Sequence, residues 1–396
     1  MTGAAYTCHS CRQTAVRDIL DCGRQPVSNR FLPSADAPET MFPLIVGQCT
    51  ACGLVQISRP VPAAELRAGF DWIRYTEPDD HLDALVGELA RLPGITTTSR
   101  VGAVVFGGDT TTTRFQEHGF QNLWRVDLRR DLGVEEPCAG TESIQERLTP
   151  ATAQEIVSRC GLFDLLVVRH MMEHAHEVRR FLAAIQAMLR PGGYAVFEVP
   201  DCERPFAELE YSILWDEHVF YFMPATFRHC LARAGFDMLD LQRPRFSLVA
   251  ITRKTDSPRA IAPCAADVLV AELARAEKFA RGLPARQVAV TKALKAGGKT
   301  AFFGAGHQGC IYINLLGLKF ELAFVVDDLP QKQGLFMPGS RLLIRPSSAL
   351  ADAGVRVCLS SLGAETDRKV AAKNKVFLAQ GGQFRSIFAG ETSLSL

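Results

Sequence analysis

The spacing of apolar positions changes along the chain, and the changes mark the elements. Over residues 63–70 and 81–92 apolar side chains recur every three or four positions, which predicts two helices. Between them, Asp71-Trp72-Ile73-Arg74-Tyr75-Thr76-Glu77-Pro78-Asp79-Asp80 is a polar loop bearing aromatics, either a cover over a pocket or a plain helix connection. From Arg100 to about Thr255 the pattern alternates. Strands are predicted at 101–106, 122–127, 163–168 and 194–199, helices at 113–119 and 178–189, and a turn at Pro191-Gly192-Gly193. Such alternation predicts a mostly parallel sheet with helices on both faces and ligands beyond the strand C-termini.

A second alternating unit follows a helical stretch over 265–296 that links or braces the domains. It predicts a strand at 300–303, the glycine turn Gly304-Ala305-Gly306-His307-Gln308-Gly309, a helix at 310–316 and a strand at 320–326 that runs into Asp327-Asp328. A GxGxxG between strand and helix, with an acid about 20 residues later, has the spacing of a dinucleotide fingerprint. Its glycines let backbone approach phosphate at a helix N-terminus. Phosphate or nucleotide contact, true dinucleotide binding and a tight structural turn are three readings of the same residues.

With 396 residues, the chain is too long for one ordinary core. Boundaries are expected at 1–62, 63–255 and 256–396. The composition, 47% hydrophobic and 22% charged with a net charge of +1, gives no electrostatic case for nucleic acid or an anionic membrane. No apolar run approaches the roughly 18–20 residues of a membrane span, and Met1 to Cys11 lacks the apolar centre of an export signal. A soluble cytoplasmic protein is expected. Of the 12 cysteines, eight are scattered singly, which fits reduced thiols with a metal site better than disulfides.

That metal site is the pair of knuckles Cys8-x-x-Cys11 and Cys49-x-x-Cys52. Each puts two thiolates on one tight turn, and two turns complete a tetrahedral S4 shell for zinc. Four sulfurs leave no open position, so the metal is expected to be structural and His9 is surplus.

A second polar cluster is Ile213-Leu214-Trp215-Asp216-Glu217-His218-Val219-Phe220-Tyr221-Phe222. Two carboxylates and an imidazole inside an apolar frame suit an acid/base group held in a dry cleft. The same residues also suit a strand or turn whose acids face water while the aromatics pack. His170, Glu198 and Asp201 are further polar candidates at predicted strand ends.

Three features together resemble one family. They are the knuckles running to Cys49-Thr50-Ala51-Cys52-Gly53-Leu54-Val55-Gln56, the alternating middle with Arg190-Pro191-Gly192-Gly193 after a long amphipathic helix, and Asp328-Leu329-Pro330-Gln331-Lys332-Gln333-Gly334 continuing to Pro338-Gly339. The chain resembles the C-methyltransferases of deoxysugar biosynthesis, which methylate a keto-sugar nucleotide using S-adenosylmethionine. The resemblance implies a class I methyltransferase (Rossmann-like) α/β core, with an N-terminal zinc-binding domain and a C-terminal Rossmann-like α/β domain. It also implies a tyrosine, glutamate and histidine in a Tyr-x-Glu-His run, joined by an upstream histidine. Glu217 and His218 match the pair, and His174 in Arg169-His170-Met171-Met172-Glu173-His174 matches the upstream histidine. Trp215 stands in the tyrosine place, and Tyr75 corresponds to another family tyrosine.

By the same resemblance, Gly107, Gly108, Asp109, Asp127 and Arg169 would hold the cofactor, and Gly304, Gly306, Gly309, Asp328 and Lys332 the substrate nucleotide. The cofactor loop departs from the family pattern: Val104 replaces an acid, and Phe106 and Thr110 replace glycines. The expected activity is S-adenosylmethionine-dependent C-methylation of a nucleotide-linked keto-sugar or similar small polar carbonyl compound. His218 is the general base, Glu217 its partner and His174 a stabiliser of the enolate. Two other readings use the same residues. One keeps the fold with a lost or changed methyl donor, and binds or isomerises its substrate. The other is an NAD-dependent oxidoreductase using Gly304, Gly306, Gly309 and Asp327.

Overall fold

Phe163–Arg169 is apolar on both sides, as a strand covered on two faces must be. Leu166 and Val168 enter one hydrophobic cluster with Phe181, Leu182 and Ile185 of the helix Val178–Met188. Leu165 and Val167 enter another with Leu82, Leu85, Val86 and Leu89 of the helix Leu82–Leu89. The two-residue alternation of a strand thus divides one run between two helix layers.

The sheet so covered has six strands, in the order Phe236–Gln242, Ser247–Lys254, Leu189–Pro200, Phe163–Arg169, Arg100–Val104, Asn122–Arg125. The last four are parallel, and Ser247–Lys254 joins them antiparallel. Chain order reverses beside Arg100–Val104, which has Asn122–Arg125 on one side and Phe163–Arg169 on the other. Ligands of such sheets bind beyond the strand C-termini at this switch point. The loops that follow these two strands begin at Val105 and His170.

This computed structural model describes residues 6–73, 77–255 and 264–388. Contacts divide the chain into two units: Met1–Ile19, Val46–Glu203 and Glu217–Ala274 form the first, and Leu20–Ile45, Arg204–Asp216 and Arg275–Leu396 the second. The first also carries the cysteine knuckles. They sit on a sheet ordered Tyr6–Thr7, Thr14–Pro26, Met41–Cys49, Val55–Ile57, Phe220–Tyr221. Tyr221 pairs with Val55 and Phe220 with Gln56, so the aromatics after His218 are a buried strand.

The second unit has a wholly parallel sheet in the order Ile344–Arg345, Leu322–Val326, Thr300–Phe303, Val357–Ser360, Gln383–Ser386. Its switch point follows Thr300–Phe303, where the glycine turn begins. The helix Ala266–Gly297 runs 32 residues with Pro284 inside it. Among the described residues no helix is long and apolar enough to cross a membrane.

Three local expectations differ. Pro191-Gly192-Gly193 is a bulge within the strand Leu189–Pro200 and does not precede it as a separate turn. Pairing steps from Phe163↔Leu189 to Leu165↔Tyr194, and Gly192 takes the left-handed φ of 66°. The first predicted helix is only Ala63–Leu66, because Arg67 already takes an extended backbone with ψ of 132°. The second ends at Leu89, where Arg91 and Leu92 close tighter turns ahead of Pro93-Gly94.

Candidate active site

The thiols of the two knuckles converge. Cys8 Sγ lies 3.8 Å from Cys52 Sγ, and Cys11 Sγ lies 3.6 Å from Cys49 Sγ. Sulfurs at about 2.3 Å from a tetrahedral zinc stand about 3.8 Å apart, so the donor set fits the metal. All four are buried, and a backbone bond from Gly53 to Cys49 closes the second knuckle as a tight turn.

At the switch point of the six-stranded sheet, His174 and His218 meet edge to face with centroids 4.7 Å apart. The strand Phe163–Arg169 delivers His174 through a short 3-10 turn, Met172–His174. On the other side, Val219 donates its N–H to the carbonyl of Glu173 at 2.8 Å, and Ile57 donates to the carbonyl of Val219. These bonds fix the backbone next to His218. His174 Nδ1 lies 3.1 Å from the carbonyl oxygen of Glu217. A carbonyl only accepts, so Nδ1 carries the proton and the basic nitrogen is Nε2.

A charged network backs this pair. His170 has the left-handed φ of 50°, a strained setting for a non-glycine residue at a strand end. Its Nδ1 is 3.2 Å from Glu173 Oε1 and 3.6 Å from Glu77, and its Nε2 is 3.3 Å from Glu198. Burial works against its charge, but the carboxylates of Glu77, Glu173 and Glu198 prevail and hold it protonated well above the usual range. Burial would also raise Glu198, yet His170, His81 and Arg169 together hold it far below the carboxylate range. Arg169 gives Nε to Glu198 at 2.6 Å, Nη2 to the carbonyl of Pro78 at 2.7 Å, and Nη1 to Asp109.

The segment expected to hold the cofactor keeps two features suited to S-adenosylmethionine. A methyl group placed on Gly108 would meet nothing within 4 Å, so its backbone borders open space. Asp127 receives the N–H groups of Arg129 and Arg130 on Oδ1 alone, which leaves Oδ2 for a ligand hydroxyl. Gly107 has φ of 61°. Asp109 and Arg169 pair with one another.

In the second unit the glycine turn is closed by its own residues. Asp327 Oδ2 accepts from the N–H of Ala305 and from Lys332 Nζ, each at 3.0 Å, and Oδ1 accepts from the N–H of Leu329. Lys332 Nζ also donates to the carbonyl of Ala305 at 2.7 Å. Asp328 accepts from Ser347 and from Lys373. Gly309 is where a side chain cannot fit: its Cβ would fall 2.3 Å from the carbonyl oxygen of Gly304. Gly306 is open, with nothing within 4 Å.

The Trp215-to-His218 run itself is divided. Trp215 and Asp216 belong to the second unit, Glu217 and His218 to the first. Trp215 stacks on His307, centroids 4.0 Å apart and planes at 15°. Asp216 accepts from both the backbone and the hydroxyl of Ser28, and burial pushes its carboxyl up to about 6. Tyr75 lies outside the described residues.

Glu173 and His81 were passed over in the sequence. Glu173 directly precedes His174, and an acid beside a histidine at a strand end was an available signal. His81 carries none, since its partner Glu198 is 117 residues away.

Family profiles match three stretches: a zinc binding domain over residues 8–66, a methyltransferase domain over 106–241 and a C-methyltransferase C-terminal domain over 272–388. The chain is 26% identical over 404 residues to the C-methyltransferase NovU of Streptomyces niveus, covering 95% of this chain and 94% of that one. Among solved structures, 1,6-didemethyltoxoflavin N1-methyltransferase of Burkholderia thailandensis, with S-adenosylhomocysteine, overlaps with a TM-score of 0.30 at 22% identity, covering 45% of this chain and 78% of that one. An S-adenosylmethionine-dependent methyltransferase of Anabaena variabilis overlaps with a TM-score of 0.31 at 15% identity, covering 44% and 85%.

Proposed function

Because this chain belongs to the C-methyltransferases built from a zinc binding, a methyltransferase and a C-methyltransferase C-terminal domain, we propose that it methylates the carbon beside the keto group of a nucleotide-linked sugar. It is an S-adenosylmethionine-dependent methyltransferase with a structural zinc. When bound, the cofactor supplies an electrophilic methyl group. What this chain supplies is the carbon nucleophile. His218 takes the proton from the carbon next to the ketone, leaving an enolate whose negative oxygen is stabilised by His174 in its doubly protonated form, which keeps Nδ1–H on the Glu217 carbonyl and donates from Nε2–H. The proton stays on His218 while the new carbon–carbon bond forms, and it then passes to solvent. A histidine base suits this step because its pKa lies near the working pH.

The observation that carries the reading is the meeting of His174 and His218 at the sheet's switch point, with His174 oriented by the carbonyl of Glu217. In the second unit, the turn with Gly304, Gly306 and Gly309 is the proposed phosphate contact, with Lys332 as its nearby cation. Asp127 is the proposed ribose contact of the cofactor.

One observation speaks for a second reading, a proton-transfer enzyme with a lost or changed methyl donor. Asp109, in the loop where Val104, Phe106 and Thr110 depart from the family pattern, is already taken by Arg169. A nicotinamide-dependent reading fares worse, since both oxygens of Asp327 are taken by its own loop and leave little for a ribose.

One experiment separates these readings. The protein is incubated in D2O with nucleotide-linked keto-sugars, with and without methyl-labelled S-adenosylmethionine. Label on carbon, together with deuterium exchange lost in His218→Ala, supports the main reading. Exchange without label supports the second, and exchange unchanged in His218→Ala removes His218 as base.

A further inference from the structure

We propose that Glu173, His174 and His218 bind a divalent transition metal ion, distinct from the zinc held by the four cysteines. One donor atom from each of the three residues lies within 4.8 Å of the others. Oxygen and imidazole donors at about 2.1 Å from one ion stand about 3.4 Å apart in a tetrahedral shell, so small side-chain rotations close the triangle. All three residues are buried: Glu173 is 1% exposed, His174 6% and His218 7%.

A second observation points to a ligand. Glu173 Oε1 is held by His170 Nδ1 at 3.2 Å, but its Oε2 is buried and has no hydrogen-bond partner among the described residues. A buried carboxylate oxygen left unmatched is costly, and a cation is the partner that best offsets it. Orientation agrees. His174 donates from Nδ1 to the carbonyl of Glu217, so Nε2 is the nitrogen that would bind a metal, and His170 steers the Glu173 carboxylate in the way outer residues steer metal ligands.

Two imidazoles and one carboxylate select first-row ions such as Zn2+ or Co2+ over Mg2+ or Ca2+, which prefer all-oxygen shells. Three protein donors leave a coordination position for water or a substrate oxygen. The site shares His218 with the proposed proton transfer but does not depend on that reading. One lone pair cannot serve a proton and a metal at once, so an occupied site silences His218 as a base.

The test uses the full-length protein with its cysteine site already filled by zinc. Co2+ is titrated in, and its visible d–d bands are followed. Bands saturating at one equivalent, without thiolate-to-cobalt absorption in the near ultraviolet, are expected. Affinity should fall at least tenfold in Glu173→Gln and in His174→Ala. X-ray absorption of the wild-type complex should detect two imidazoles and no sulfur, a readout that needs no variant. Substrate deuterium exchange in the wild type should fall with the same Co2+ midpoint. No uptake beyond the cysteine site, a sulfur-containing shell, or equal affinity in wild type and Glu173→Gln would overturn the proposal. None of these failures bears on metal-free exchange at His218, which is read separately in His218→Ala.

Discussion

His174 and His218, far apart in the chain, stand with their rings at 80° and their centroids 4.7 Å apart. The backbone carbonyl of Glu217 orients His174. The two roles can therefore be separated. His218→Gln should lower kcat by about 10²–10⁴ while KM changes little, the usual weight of a general base. Glu217→Gln, which preserves that carbonyl, should cost less in kcat than His218→Gln. Steady-state kinetics on an identified substrate decides it, and equal losses would mean that the Glu217 carboxylate acts directly.

The four-thiol site should contribute stability. Metal analysis of the purified protein should find at least one tightly held zinc per chain. A strong chelator should release it, expose the four thiols to a thiol reagent and lower the thermal midpoint, since folding of such segments is coupled to metal binding. Cys49→Ser should do the same without chelator. Thiols that stay protected after complete zinc removal would contradict the assignment.

Arg169 is 2% exposed in its side chain and neutralises Glu198 and Asp109. Arg169→Met should cost about 3–5 kcal/mol, because it leaves buried carboxylates without their cation. Urea unfolding measures this loss. The double variant Arg169→Met with Asp109→Asn should recover part of it, and no recovery would mean that the pair is not coupled.

How far these features were legible follows from their range in sequence. The strand Phe163–Arg169 was expected at 163–168, because a run buried on both faces announces itself locally. The zinc ligands were legible because each knuckle is a four-residue motif. The approach of Glu173 to His218 was not, since it depends on Val219 bonding back to the Glu173 carbonyl across more than 40 residues. Nor was the division inside the Trp215-to-His218 run, where adjacent residues enter different units. A resemblance in sequence could align Trp215 with a tyrosine, but its stacking on His307 required the fold.

The glycine turn yields a contrast between two positions of one motif. Gly309→Ala would drive a methyl group into the Gly304 carbonyl, so the turn must open. A loss of about 1–3 kcal/mol is expected, with weaker binding of nucleoside diphosphates. Gly306→Ala meets open space at an ordinary φ of −118° and should leave stability nearly unchanged. Calorimetry with a nucleoside diphosphate reads the second effect. Weaker binding in Gly306→Ala at unchanged stability would mean that the ligand itself fills that space.

The Trp215–His307 stack should make the second unit acid-sensitive. Burial, and then the Lys332 cation, lower the His307 imidazole to about 4, although part of the residue reaches the surface. Its unfolded value is about 6.5. Between these values the unfolded chain binds the proton and the folded chain does not, so stability falls as pH falls through that window. The contribution is fully present above about pH 6.5 and is lost progressively toward pH 4, amounting to no more than about 3 kcal/mol. His307→Gln keeps a planar polar group against Trp215 but cannot titrate. Urea unfolding followed by tryptophan fluorescence at pH 7 and pH 4.5 should show a smaller pH difference in the variant than in the wild type. Equal pH differences would mean that His307 keeps its ordinary titration despite the stack.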